Sequence, residues 1–292
     1  MIKEVIMKKK GIKSPYASSL YWPGGIIYMV LFFIPTVLSL FFSLTRWTLQ
    51  DWEFIGFENF TLYFSEENLR IGFRNTIIYA VLTSGLKVIF ALYLASFLSS
   101  KLRATGFIRS VLFFPTLVST IGVGITFSVL MNPYEGVINA ALKWVAGLFG
   151  KTTDGPGWLI DPNLLPIVSI ALVDVWKGVV VTVKARIASL DPRLEQAAMD
   201  LYANEFQTFR RVTLPLVAPG IAGAALLAFS LSFDDFIITN FNSGTLTTFP
   251  KFIYISAARG IPAQANVIGS AMFFLALTIV IVGQLVNRRR VR

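Results

Sequence analysis

The chain contains no cysteine and no histidine. The first absence removes disulfides, thiolate metal sites and thiol nucleophiles; the second removes imidazole ligands and histidine acid–base chemistry. Covalent catalysis is therefore not expected of this chain. Acidic residues are also few, 16 against 26 Lys and Arg, and charged residues of all kinds make up only 14% of the sequence. No Gly-rich phosphate loop of the G-x-x-x-x-G-K-[ST] kind is present, so ATP hydrolysis would have to be done elsewhere. No repeat with a period of 20–50 residues is visible either.

Apolar sequence fills the space left by charge, at 55% of the chain against about 45–50% in soluble domains. Six uncharged or nearly uncharged stretches run from Pro23 to Leu44, Thr76 to Ser100, Ser110 to Met131, Leu164 to Val183, Val212 to Phe233 and Asn266 to Val286. Each has the roughly 20 residues that a helix needs to cross the hydrocarbon of a bilayer. Too little polar sequence remains for these runs to be the buried helices of a large soluble protein. The pattern predicts an all-α membrane protein with six transmembrane helices in residues 23–287, a tail of residues 1–22 and a basic tail of residues 288–292. The run from Pro23 follows a basic start, as in a signal peptide. Its length and the lack of a small-residue cleavage pattern make it a retained first helix.

A net charge of +10 would suit a nucleic-acid partner, but the location of the basic residues argues for orientation instead. Lys3, Lys8, Lys9, Lys10 and Lys13 lie in the first tail, and Lys101, Arg103 and Arg109 in the second connection. Lys184, Arg186, Arg193, Arg210 and Arg211 follow in the fourth, with Arg288, Arg289, Arg290 and Arg292 in the last tail. In an alternating chain all of these fall on one side, so the positive-inside rule predicts cytoplasmic N- and C-termini. The opposite side carries few cations, offset by acids such as Asp51, Glu53, Glu58, Glu66 and Glu67.

The external segment Arg46 to Arg70 is rich in Trp47, Trp52, Phe54, Phe57, Phe60 and Tyr63, and is expected to lie along the outer interface as short helix and loop. Asn132 to Asn163 holds the turn dipeptides Asn132-Pro133, Gly155-Pro156 and Asp161-Pro162, and reads as a loop with one amphipathic piece around Ile138 to Phe149. The cytoplasmic connection 184–211 is different, concentrating basic residues with Asp191, Glu195, Asp200 and Glu205. Asp191-Pro192 suits a helix start. Leu194, Ala197, Ala198 and Leu201, then Phe206, Phe209 and Val212, form a stripe at helical spacing. That stripe is either a docking element or packing against the protein's own helix ends.

The stretch Gln196-Ala197-Ala198, Tyr202 and Val212-x-Leu214-Pro215 resembles the EAA signature of binding-protein-dependent ABC importer permeases, with its spacing intact. The resemblance implies a type I permease fold and a coupling segment, Glu195, Gln196, Ala197, Ala198, Asp200, Tyr202, Phe206, Leu214 and Pro215, that docks on a separate ATPase. Two positions depart from the pattern. Gln196 stands in place of a Glu and cannot form a charge-assisted pair, although Glu195 lies one residue earlier. Tyr202 replaces the glycine of the turn, where positive φ strains a side chain. The first part of the chain is similar to carbohydrate-type permeases, through Phe54-Ile55-Gly56-Phe57-Glu58-Asn59-Phe60, Phe107 to Pro115 and Val173-Asp174-Val175-Trp176-Lys177-Gly178. From about Thr182 onward it is similar to spermidine/putrescine-type permeases, through Asp191 to Glu195 and Ser230-Leu231-Ser232-Phe233-Asp234-Asp235-Phe236.

Ionisable groups inside a membrane are costly and normally face a pathway or a partner. Asp174 and Lys177 stand three apart on the fourth span and are expected to pair with each other, with solute contact as the second reading. Lys87 is expected to face the cavity or another subunit. Asp234 and Asp235 lie near the outer end of the fifth span. Carboxylates there would favour a cationic solute by Coulomb attraction, though neighbouring residues diverge and only one is expected to enter the pathway; capping or gate contacts are the alternative. The loop Asn240 to Arg259, with Asn242, Ser243, Gly244, Thr245, Thr247 and Thr248, would by resemblance reach toward a docked solute-binding protein.

The expectation is a non-catalytic permease subunit of an importer for a small hydrophilic solute, polyamine or carbohydrate, in the cytoplasmic membrane of a bacterium or archaeon. No metal or cofactor is expected on this chain; ATP would sit on the partner. The implied partners are ABC ATPase subunits, a second permease, an extracytoplasmic solute-binding protein and the lipid bilayer, with no nucleic acid. An ion-coupled secondary transporter would instead work without an ATPase and need a relay of intramembrane acids, which are scarce. A non-transporting assembly factor would show no solute dependence.

Overall fold

The structure, a computed structural model, describes residues 21–48, 50–99, 105–187, 198, 200, 202–257, 263–274 and 277–278. The tails 1–20 and 288–292 and the start of the coupling segment, including Asp191-Pro192, lie outside them. The chain divides into two compact units, one of residues up to Glu66 with those from Arg259, the other Glu67–Ala258.

In the first unit α1 (Trp22–Ser43) runs 22 residues without a charge, with a π-helical stretch at Met29–Phe33. Pro23 sits at its start, where no intrahelical N–H bond is lost. The aromatic segment that follows is not simply helix and loop. Thr45–Trp47 (β1) and Trp52–Phe54 (β2) pair antiparallel, Trp47 opposite Trp52. Thr and aromatic residues favour pleated pairing, and Thr48 and Asp51 close the turn, the Thr48 hydroxyl meeting both the Asp51 carbonyl and its N–H. Asn59, on α2 (Glu58–Ser65), is buried and donates to the carbonyls of Phe42, Ser43 and Thr45. It thus satisfies C-terminal carbonyls of α1 that the helix leaves unpaired. Ala265–Phe274 meets α1 at small residues: Ser39 donates to Asn266 Oδ1 at 3.2 Å and Ser270 to the Ser39 carbonyl at 3.5 Å. Small side chains let apolar helices approach this closely.

The second unit consists of helices and connecting loops, with no strand among the described residues. It comprises α3 (Glu67–Ser99), α4 (Thr105–Leu117), α5 (Thr120–Leu130), α6 (Val137–Leu148), α7 (Leu165–Ile187), α8 (Glu205–Thr208), α9 (Leu214–Phe233), α10 (Ile237–Asn242) and α11 (Phe249–Ala257). A π-helical turn, Phe209–Thr213, joins α8 to α9. Helix α3 packs most extensively against α7, then α9. Tyr79, Val123, Met131, Ile167, Ile170, Ala171, Val173 and Ile238 form the core.

The expected span Ser110–Met131 is not one straight helix: Gly106–Leu117 and Thr120–Leu130 meet at 96°. Pro115 removes a donor near the end of α4, and Ser119 is extended at ψ 135°. Helices α1 and Glu67–Leu94 of α3 are each long and apolar enough to cross a bilayer. Counting each bent pair as one span, the second being Phe209–Leu216 with Gly220–Phe233, makes up to four among the described residues.

Candidate solute cleft and coupling segment

Lys87 lies in the middle of α3, where an ammonium without a partner would be costly. It is satisfied across the helix interface. Its Nζ is 2.8 Å from Asp174 Oδ2 on α7, with side chains 6% and 12% exposed, and 3.2 Å from Ser232 Oγ on α9. The same Asp174 oxygen accepts from the Ser232 hydroxyl at 2.9 Å and the Tyr79 hydroxyl at 3.0 Å. One carboxylate thereby ties three helices together. A buried ion pair offsets its desolvation only when such additional hydrogen bonds complete it. Gly178, one turn beyond Asp174, makes the approach possible: a Cβ there would stand 2.9 Å from Lys87 Cε and 3.0 Å from its Nζ.

The expected pairing of Asp174 with Lys177 is therefore replaced. At three residues' separation on one helix the two can meet, but Lys87 offers Asp174 a shorter route across the interface. Lys177 turns to the break between α4 and α5, donating to the Val118 carbonyl at 3.2 Å and to Thr120 Oγ1 at 2.7 Å. A broken helix leaves carbonyls without intrahelical partners, and a cation suits that end. Asp234 and Asp235 diverge at the end of α9. Asp234 is exposed. Asp235 Oδ2 accepts from the Thr239 N–H at 3.2 Å and the Tyr79 hydroxyl at 3.4 Å.

Lys87, Asp174, Lys177 and Asp235 share one cleft of about 280 Å³, with Thr116 and Thr120 on the α4–α5 side and Leu227 and Leu231 of α9 opposite. Sequence reasoning overlooked Tyr79, Ser232 and Gly178. Polar residues within otherwise apolar spans were the available signal for the first two; for Gly178 there was none.

The loop expected to reach toward a docked protein is partly folded in, with Gly244 and Thr245 left exposed. Asn242, Ser243 and Thr248 are at most 1% exposed. Asn242 Nδ2 donates to the Gly124 carbonyl at 3.1 Å, and Lys251 Nζ to Ser243 Oγ and the Gly244 and Leu246 carbonyls. Burial lowers the Lys251 pKa. Gly244 has φ +54°, and a Cβ there would collide with the Leu159 carbonyl. These polar groups hold α10 and α11 on the unit.

In the coupling segment, Glu195, Gln196 and Ala197 lie outside the described residues. Ala198 and Asp200 are helical, and Tyr202 has φ +64°, the only non-glycine residue with positive φ among the described residues. Ala203 N–H donates to the Ala198 carbonyl at 3.2 Å. This is the bond of a Schellman helix end, with Tyr202 at the position that glycine normally takes. Asn204 then starts the next helix: its Oδ1 accepts from Gln207 N–H at 2.8 Å and Gln207 Oε1 accepts from Asn204 N–H at 3.2 Å, a reciprocal cap. Phe206 lies on α8. Leu214 and Pro215 open α9, where a proline is tolerated.

An apolar helical protein with a cleft between its helices that holds Lys87, Asp174, Lys177 and Asp235 has the build of a membrane transport protein. Residues 87–292 match the family described as binding-protein-dependent transport system inner membrane component, and the chain belongs to that family of ABC importer permeases. It is 29% identical over 245 residues to the probable ABC transporter permease protein y4oQ of Sinorhizobium fredii, covering 79% of this chain and 77% of that one. It is 36% identical over 115 residues to the spermidine/putrescine transport system permease protein PotC of Escherichia coli, a match that takes in 39% of this chain and only 44% of PotC. The fold is that of a bacterial ABC transporter involved in the import of the acidic polysaccharide alginate, with a TM-score of 0.68, 18% identity and 99% of both chains covered. A second structure of a bacterial alginate ABC transporter, in complex with an alginate pentasaccharide-bound periplasmic protein, matches at a TM-score of 0.67 and 20% identity over 93% of both chains.

Proposed function

We propose that this permease crosses the cytoplasmic membrane six times in residues 23–287, with cytoplasmic tails at 1–22 and 288–292, and that residues 184–211 are its handle for a separate ATPase. A second permease subunit completes the pathway. An extracytoplasmic binding protein delivers a small hydrophilic solute, polyamine or carbohydrate. The chain itself performs no catalysis and holds no cofactor. Closure of the ATPases pulls on the segment from Glu195 to Pro215 and alternates the side to which the cleft opens.

One observation carries this reading. The turn at Tyr202 leads through α8 and the π-helical turn into α9, and α9 lines the cleft with Leu227 and Leu231, with Asp235 just past its end. A displacement at the cytoplasmic end is thus transmitted to the charged residues along consecutive helical segments, bent between Leu216 and Gly220. Deleting Glu195 to Thr208 is expected to abolish copurification with the ATPase; undiminished association would count against the handle. An ion-coupled transporter would keep its uptake in that deletion.

A further inference from the structure

The charges of the cleft do not all cancel in pairs, and the way they are left over has a consequence for the solute. Lys87 and Asp174 neutralise each other at 2.8 Å. Among the described residues Lys177 meets a carbonyl and a hydroxyl, both uncharged, through two of its three N–H bonds. Asp235 accepts from the Tyr79 hydroxyl and from backbone N–H groups of α10, and forms no salt bridge among the described residues. Beyond the Lys87–Asp174 pair the cleft therefore holds one further cation and one further anion, so that this chain's formal charges there sum to zero. Resting on the reading of this cleft as the solute path, we infer that Lys177 is a charge filter: it admits a solute of zero net charge and turns away one that carries two or more positive charges.

The physical reason is the weak screening between helices. Two unit charges interact several-fold more strongly at the lower effective dielectric of a partly buried site than at the same separation in water. A polycation entering here could place one ammonium against Asp235, but a further one would face Lys177 without a carboxylate to offset it. A neutral polyhydroxylated solute meets no such penalty, since the Lys177 ammonium can donate to its hydroxyls and Asp235 can accept from them. The cleft also joins the two parts of the sequence. Lys177 stands in the part similar to carbohydrate-type permeases and Asp235 in the part similar to polyamine-type permeases, so attraction by Asp235 alone does not set the specificity.

The experiment is equilibrium dialysis of radiolabelled spermidine against the full-length permease assembled with its second permease subunit and ATPase in nanodiscs, without binding protein. The wild type is expected to retain no saturable spermidine, and Lys177→Gln, which can still donate to Thr120, to show saturable retention at least about tenfold above the wild-type background. Lys177→Arg keeps the charge and should exclude spermidine as the wild type does. Thr120→Val removes an anchor but not the charge, and should also exclude it, whereas a purely structural role for Lys177 would make it behave like Lys177→Gln. Saturable retention by the wild type overturns the filter, as does a monodisperse Lys177→Gln protein with no gain. Failure of the wild type to associate with the ATPase counts against the proposed function instead, and the filter is then read on the permease alone.

Discussion

Helices α1 and α3 are both long and apolar enough to cross a bilayer, yet none of the apolar window of α1 is buried, whereas 28% of that of α3 is. Leu31, at the middle of α1, is 73% exposed; Lys87, at the middle of α3, is 5% exposed. The difference shows that apolar length sets where a helix can reside, while burial of its polar groups depends on what its neighbours offer. Helix α1 carries no charge, so lipid tails or the apolar face of another chain can cover it at little cost. Helix α3 carries Lys87, and is tolerated because Asp174, Ser232 and Gly178 converge on it.

The comparison is tested most severely at the ion pair. Asp174→Asn should leave Lys87 without its counter-charge and cost about 3–5 kcal/mol, read as a fall in the unfolding temperature of the detergent-solubilised protein. The double change Lys87→Met with Asp174→Leu should recover most of that loss. If the double variant were no better than the single one, the pair would not be what stabilises α3 here. Gly178→Ala should cost about 1–3 kcal/mol in the same assay, because the added methyl must displace the Lys87 side chain. Tyr202→Gly should stabilise its turn by about 1 kcal/mol, since a left-handed residue with a Cβ is strained; slower hydrogen exchange at the Ala203 amide would report it. The smallest effect is expected at Leu31→Ala, within about 0.5 kcal/mol for the isolated permease. A loss of several kcal/mol there would mean that α1 is covered by protein, and would erase the contrast with α3.

Much of this organisation was legible in the chain. Apolar runs of bilayer length located α1, α3, α7 and α9, because a helix in hydrocarbon satisfies its own backbone and needs only apolar side chains outside. The spacing from Ala198 through Tyr202 to Pro215 located the coupling turn, and the left-handed φ at Tyr202 follows from the place that residue holds at a helix end. The break at Ser119 was not legible: Pro115 marks a weak point, but nothing local to Ser110–Met131 says whether the helix kinks slightly or turns by 96°. The β-hairpin at Thr45–Phe54 was hidden for a similar reason, since short aromatic runs suit an interfacial helix as well as a strand.

The amino-acid sequence by itself determined that this protein is built for a membrane, which family it belongs to and where the family's signature spacing lies, because those follow from composition and from residues adjacent along the chain. Only the tertiary structure decided which charges meet. Lys87 and Asp174 are far apart in sequence, while Asp174 and Lys177 are one helical turn apart and looked like partners. The choice went to the contact that brings Ser232 and Tyr79 to the same carboxylate, since a charge removed from water is stabilised by the number of well-placed groups around it, whatever their separation along the chain.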